Sequence, residues 1–265
     1  MKNKKVLIIV VAAVILLCVT VSCGVGAYWF FAVYEPGQNV TPTPGITSVM
    51  PTSYTSNPTV IPTFSVGVMQ TPKSTFSETF NNNNNGWAVG SFNKTYSSGT
   101  RSISGGYYVW DITAKESMYS SDYPDSGAPS NTKNFYATVD TQVVSGPTDA
   151  GSGLLIKDND SGMYGFAVLP GTQEYEFYYN SNGTDSAIVD YTTSSSIKST
   201  GINNLKVSCV DGTFKLYIND VLVNTVTDTR ITSGNIGLLT ELFNANDHAV
   251  VQFSNFGVEV FSTGN

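Results

Sequence analysis

Two carboxylates stand two residues apart in the run Glu174-Tyr175-Glu176-Phe177-Tyr178. On a β-strand, residues i and i+2 share a face, so this spacing sets both acids side by side. Carboxyl groups about 5–5.5 Å apart are the arrangement that retaining glycosidases use, one as acid and one as nucleophile. Glu174 and Glu176 are therefore the catalytic candidates, and a solvated strand face is the plainer account of the same pair. Asp158-Asn159-Asp160-Ser161-Gly162 gathers oxygen ligands as a fragment of a calcium loop does, which makes Asp158 and Asp160 the metal candidates and calcium the cofactor to consider. The later Glu of such a loop is missing, and a hairpin turn explains the same residues.

Other reactive residues point to structure. His248 is the single histidine and follows Asp247, but no Gly-x-Ser-x-Gly elbow supplies a nucleophile for a triad. A loop histidine ahead of the last strand is the expectation. Cys209 is the one cysteine outside the apolar N-terminal run, so no disulfide forms within the domain. It alternates with Leu205 and Val207 and reads as a buried thiol. Aromatic residues make up 12% of the chain, enough to offer rings for stacking on sugars. Trp87, Tyr107 and Tyr178 are the carbohydrate-binding candidates, because Tyr108, Trp110, Tyr175 and Phe177 fall on core-facing positions.

The elements that must position these residues have a period of two. Tyr108, Trp110 and Ile112 form one apolar face; Phe135, Ala137, Val139 and Thr141 form another. Leu154 and Ile156 lead through the 157–162 turn cluster to Tyr164, Phe166 and Val168. Pro170-Gly171, Asn180-Ser181-Asn182-Gly183, Asp211-Gly212 and Asn219-Asp220 mark further turns. Strands recurring about every ten residues, with no useful helix period, predict an all-β, two-sheet antiparallel sandwich. Paired aromatics in Phe76-Ser77-Glu78-Thr79-Phe80 and Phe253-Ser254-Asn255-Phe256 suggest that the terminal strands lie near one another. The Asn81–Asn85 tract reads as a surface loop.

The N-terminal third has a different character. Lys2, Lys4 and Lys5 precede 29 uncharged residues from Val6 to Tyr34. A membrane-spanning helix needs about 20 apolar residues, whereas a cleaved signal has a shorter apolar core. The expectation is a cytoplasmic stub at 1–5 and an uncleaved signal-anchor helix at 6–34, with the lipid bilayer as its partner. The positive-inside rule then places the rest outside the cytoplasm. A lipid-modified Cys23 or ordinary cleavage are alternatives with the same outcome for the domain. Seven of the eleven prolines fall between Glu35 and Pro72, so 35–73 reads as a disordered Thr/Pro-rich linker. Asn39-Val40-Thr41 is a glycosylation sequon within it. The domain spans 74–261 and a tail 262–265. From Pro36 onward, 10 basic residues face 19 acidic ones, which argues against nucleic acid as a partner.

A set of motifs then falls in order. Gly86-Trp87 is followed by Gly106-Tyr107-Tyr108-Val109-Trp110, Gly153-Leu154-Leu155-Ile156 and Tyr164-Gly165-Phe166. The tail carries Leu216-Tyr217-Ile218-Asn219-Asp220, Gly234-Asn235-Ile236-Gly237-Leu238 and Phe253-Ser254-Asn255-Phe256. This order resembles the concanavalin A-like lectin/glucanase superfamily, in its laminin-G-like, bacterial, membrane-anchored extracellular branch. The resemblance covers Phe76 to Phe261 and implies a jelly roll with one concave sheet. Glucanases of that superfamily carry Glu-x-Asp-x-Glu on the concave sheet; here Tyr178 stands where the third acid would be. Non-catalytic carbohydrate binding outside the membrane is the function expected. Glycosidic hydrolysis and protein adhesion at a surface are the alternatives.

Overall fold

The structure, a computed structural model, describes residues 72–262. The apolar run at 6–34, almost all of the 35–73 linker and the last three residues lie outside the described residues. The strands are β1 (Pro72–Glu78), β2 (Gly90–Asn93), β3 (Ser97–Ser104), β4 (Tyr107–Ala114) and β5 (Met118–Asp122). Then follow β6 (Phe135–Ser145), β7 (Gly151–Asn159), β8 (Gly162–Leu169), β9 (Glu174–Ser181) and β10 (Thr184–Thr193). β11 (Asn203–Val210), β12 (Thr213–Ile218), β13 (Val221–Thr227), β14 (Asn235–Leu242) and β15 (His248–Phe261) complete the order.

They form two antiparallel sheets. The larger has nine strands in the order β13-β12-β11-β6-β15-β4-β3-β2, with β1 also on β15; the smaller has six, β10-β9-β8-β7-β14-β5. Sheet order departs from chain order because β14 and β15 insert among earlier strands, the interleaving of a jelly roll. β1 opens at Pro72, so Pro72 and Lys73 belong to a strand rather than to the linker. Its pairing runs from Pro72 opposite Phe261 to Glu78 opposite Phe256, which brings the two ends together as the aromatic pairs suggested.

The alternating faces meet between the sheets. Tyr108, Trp110 and Ile112 from β4 are fully buried, as are Tyr164 and Phe166 from β8 and Phe177 from β9. Each such side chain contributes about 1.5–3 kcal/mol by leaving water. Short hairpins fix the register. Asn182-Gly183, Asp211-Gly212 and Asn219-Asp220 each have positive φ at both residues, the two-residue turn whose twist matches that of the strands. The 157–162 cluster divides differently from the sequence reading. β7 continues to Asn159, and a bulge at Lys157, with φ 52°, interrupts its register. Lys157 is buried, its ammonium 5.0 Å from the Phe214 ring centre.

Two sequence expectations on aromatics and loops change here. Trp87 is a core residue, 2% exposed, with its ring 5.2–5.5 Å from those of Phe80, Tyr108 and Phe256. Its indole N–H donates to Glu78 Oε2 at 3.1 Å. The same buried carboxylate accepts from the Phe80 backbone N–H and the Asn85 amide, both at 2.6 Å. Asn83 grips the Trp87 backbone from both sides, at 2.8 and 2.9 Å. The asparagine tract is at the surface, as read, but it is also the clamp that holds Trp87 inside.

Candidate functional site

The outer face of the six-stranded sheet carries a groove of ≈ 690 Å³. Its floor is set by the parity of β9. Tyr175 and Phe177 point into the core, so Glu176, Tyr178 and Asn180 point outward. β14 does the same with Glu241, whose register partners are Gly151 on β7 and Tyr119 on β5. Leu155, Met163, Ala167, Tyr178 and Leu239 form a small apolar cluster on this face.

Two glycines give the floor its shape. A Cβ on Gly165 would lie 2.3 Å from the Tyr178 ring, and one on Gly151 would lie 2.7 Å from Glu241 Oε2. The bare backbone therefore lets Tyr178 and Glu241 lie flat on the sheet, where they are only 4% exposed. Tyr178 donates its hydroxyl to Glu241 Oε1 at 2.7 Å. Glu241 Oε2 is buried and has no hydrogen-bond partner.

Glu176 reaches Glu241 across two intervening strands. Ala167 and Gly153 stand beside Glu176 in its row, which meets β14 at Leu239, two residues from Glu241. The two carboxyl groups line the same groove and bias one another's ionisation. Burial pushes Glu241 well above the usual carboxylate range, and the charge of Glu176 adds to this. Glu176 is also raised, first by burial and then by Asp185 and Asp190, while Tyr191 and Glu241 act to lower it. Burial and the neighbouring carboxylates push the Tyr178 and Tyr191 hydroxyls up as well. The site thus holds two carboxyl groups whose ionisation burial disfavours, with the Tyr178 hydroxyl donating to Glu241.

Aromatic side chains stand around this floor. Tyr96, Tyr119 and Tyr191 are exposed by 57%, 38% and 45%. Tyr191 on β10 meets Phe243 edge-on, with ring centres 6.3 Å apart. β10 slips register on either side of Val189, and this irregular edge carries Asp190 and Tyr191. Exposed rings beside fixed acceptors are what sugar recognition needs, since ring faces stack on C–H surfaces and carboxylates accept from hydroxyls.

Among the residues singled out from sequence, Glu176 and Tyr178 lie in this groove and Glu174 does not line it. Glu174 shares a face with Glu176, as the spacing required, but the carboxyl that pairs with Glu176 is Glu241. No local pattern marks Glu241, which sits in an apolar strand 63 residues beyond Tyr178. The signal available was its position, an acid in Gly237-Leu238-Leu239-Thr240-Glu241-Leu242, where a buried strand tolerates charge only for a reason. Trp87 is excluded as a sugar contact by its burial. Tyr107 is half-buried at the start of β4 and lies outside the groove.

Asp158 is in β7, and Asp160 lies in the turn between β7 and β8. Burial raises the Asp158 carboxyl, helped by Asp160. Asn159 satisfies the turn itself, accepting from the Ser161 N–H at 2.7 Å and donating to the Ser233 carbonyl at 2.6 Å. Among the described residues, no group of three or more His, Cys, Asp or Glu converges tightly enough to hold a metal ion. His248 opens β15 and pairs with Asp111 at 2.8 Å on the surface. Cys209 is buried and free, as its place in the alternation implied.

No protein-family model matches the chain, and no curated protein does. Solved structures do match. A Bacillus licheniformis β-glucanase is 15% identical over 71% of this chain and 98% of its own, with a TM-score of 0.51. An endo-β-1,3-glucanase from Pyrococcus furiosus is 10% identical over 71% of this chain and 94% of its own, also at 0.51. A carbohydrate-binding module from Bacillus subtilis, CBM66, reaches 22% identity over 66% of this chain and 95% of its own, at 0.43. The two glucanase structures share the two-sheet antiparallel jelly-roll fold of this chain, the fold that the motifs implied.

Proposed function

We propose that this protein is a glycan-recognition module held outside the cytoplasm by its N-terminal segment. The groove carries the reading: exposed Tyr96, Tyr119 and Tyr191 stand over a floor of fixed carboxyl acceptors, in a volume suited to a few sugar rings. Two solved structures of the same fold are named as glucanases, which sets glycans as the ligand class to try first. The tether rests on the sequence alone, on three lysines followed by 29 uncharged residues and a proline-rich stretch. Calorimetry of the full chain in detergent micelles, against a panel of glycans, tests the binding. We expect at least one oligosaccharide to bind, and Tyr119→Ala or Tyr191→Ala to weaken it roughly tenfold through lost stacking. No binding to any glycan would count against the module.

A second reading is glycosidic hydrolysis, favoured by one observation: two buried carboxyl groups, Glu176 and Glu241, line the same groove. Release of reducing ends that vanishes in both Glu176→Gln and Glu241→Gln would establish this reading in place of the first.

A further inference from the structure

We infer that the groove selects glycans bearing a free, protonated amine, with the ammonium seated at Glu176 and Glu241. The inference rests on the glycan reading above and names the ligand's charge. Glu116, Glu176, Asp185, Asp190 and Glu241 line the groove, and no Lys, Arg or His does so. Such a wall repels uronic acids and sulfated sugars and attracts cations. An acidic lining alone would show only a solvated surface.

The second observation is Glu241 Oε2. It is buried, without a donor, in a residue 4% exposed on the groove floor. A buried acceptor left without a donor costs free energy, typically about 1–3 kcal/mol. Its neighbour Oε1 is already taken by Tyr178. The donor still required by this pair is cationic. An ammonium brings three donors on one centre, enough for Oε2 and for Glu176 together. A neutral hydroxyl brings one donor and no charge.

The donor set suits an ammonium better than a metal ion. Only two carboxyl groups converge, and the described residues hold no tighter cluster. Calcium takes six to eight oxygen ligands. The aromatic rim supplies the sugar's share of recognition, since Tyr119 is the register neighbour of Glu241 and Tyr191 lines the same groove.

Burial holds both carboxyls above the ordinary range, so seating an ammonium, which needs them ionised, releases a proton to solvent. Proton and ligand therefore compete, and affinity rises with pH until the ligand's own amine loses its charge. Tyr119, Tyr178 and Tyr191 face the pair from β5, β9 and β10, and stay neutral through that range. Asp185 and Asp190 on β10 and Glu116 from the connection after β4 are the other acids facing it.

The test compares a β-1,4-linked glucosamine tetramer with its fully N-acetylated counterpart, by calorimetry on the full chain. The expected result is about tenfold or greater preference for the free amine near neutral pH, weakening toward pH 5, with a proton released on binding. Glu241→Gln should remove the preference and the proton release together. The pH arm uses the unaltered protein, so it stands even where the variant folds poorly. Equal binding of both tetramers overturns the inference and leaves glycan recognition intact. Equal binding of a tetralysine peptide overturns it in favour of a general cation site, and response to calcium chloride alone overturns it in favour of a metal. Binding of neither tetramer, nor of any other glycan, removes both readings.

Discussion

Glu241 concentrates the chemistry of this molecule in one side chain. Its folded-state value is raised above the ordinary 4.5, so the fold favours its neutral form. A group raised in this way lends stability that is complete below its unfolded value and is lost as pH climbs through the folded value. The melting temperature of the protein should accordingly fall as pH rises from about 4.5 toward neutrality. Glu241→Gln keeps the hydrogen bond from Tyr178 and removes the ionisation. Its melting curve should be flatter with pH and sit a few degrees above the unaltered protein near pH 7. Melting at a series of pH values checks this; a variant with the same slope as the parent would show that the pair does not titrate in that range. The sequence made half of this site legible. Parity placed Glu176 and Tyr178 outward, because alternation is a local property. The partner was not legible, because which strand lies three places away is decided by sheet order, and sheet order is set by the whole chain.

At the scale of elements, the hairpins were legible and the clamps were not. Turn pairs such as Asp211-Gly212 announce themselves, since few residues accept positive φ. The clamps use ordinary residues. Tyr164 on β8 donates to Asp228 Oδ1 at 2.7 Å and accepts from the Ile231 N–H at 3.0 Å, pinning the segment after β13 to the opposite sheet. Arg230 lies against Asp228 through two nitrogens and stacks on Tyr179 at 4.2 Å. Tyr164→Phe keeps the buried ring but strands the Ile231 N–H, and should cost about 1–3 kcal/mol in chemical denaturation. Tyr179→Phe loses an exposed bond to the Ser161 carbonyl and should change stability by less than about 0.5 kcal/mol. Comparable losses in the two variants would mean that the Tyr164 hydroxyl is not the link between the sheets. Glu78 and the asparagines form the other clamp, and composition disguised it: a run of one polar residue looks like a loop whatever its bonds.

For the whole molecule, the all-β sandwich was readable from period, spacing and turn residues alone, since each of these is written within a dozen residues. The extracytoplasmic placement proposed for the domain has its own test. In sealed cells or right-side-out vesicles, added protease should degrade the jelly roll while a tag ahead of Lys2 stays protected. Protection of the domain would reverse the topology drawn from the lysines. The pairing of β1 with β15 has a further, mechanical consequence. The first four residues of β1 are exposed, and Phe76 is the first buried one, held against Phe256 with ring centres 6.0 Å apart. A pull on the chain ahead of Pro72 meets those four residues first. They can peel away singly, releasing roughly 14 Å of slack before any core contact bears load. The edge of the sandwich therefore works as a short spring in series with the chain before it, and Phe76 sets where the spring ends and resistance begins.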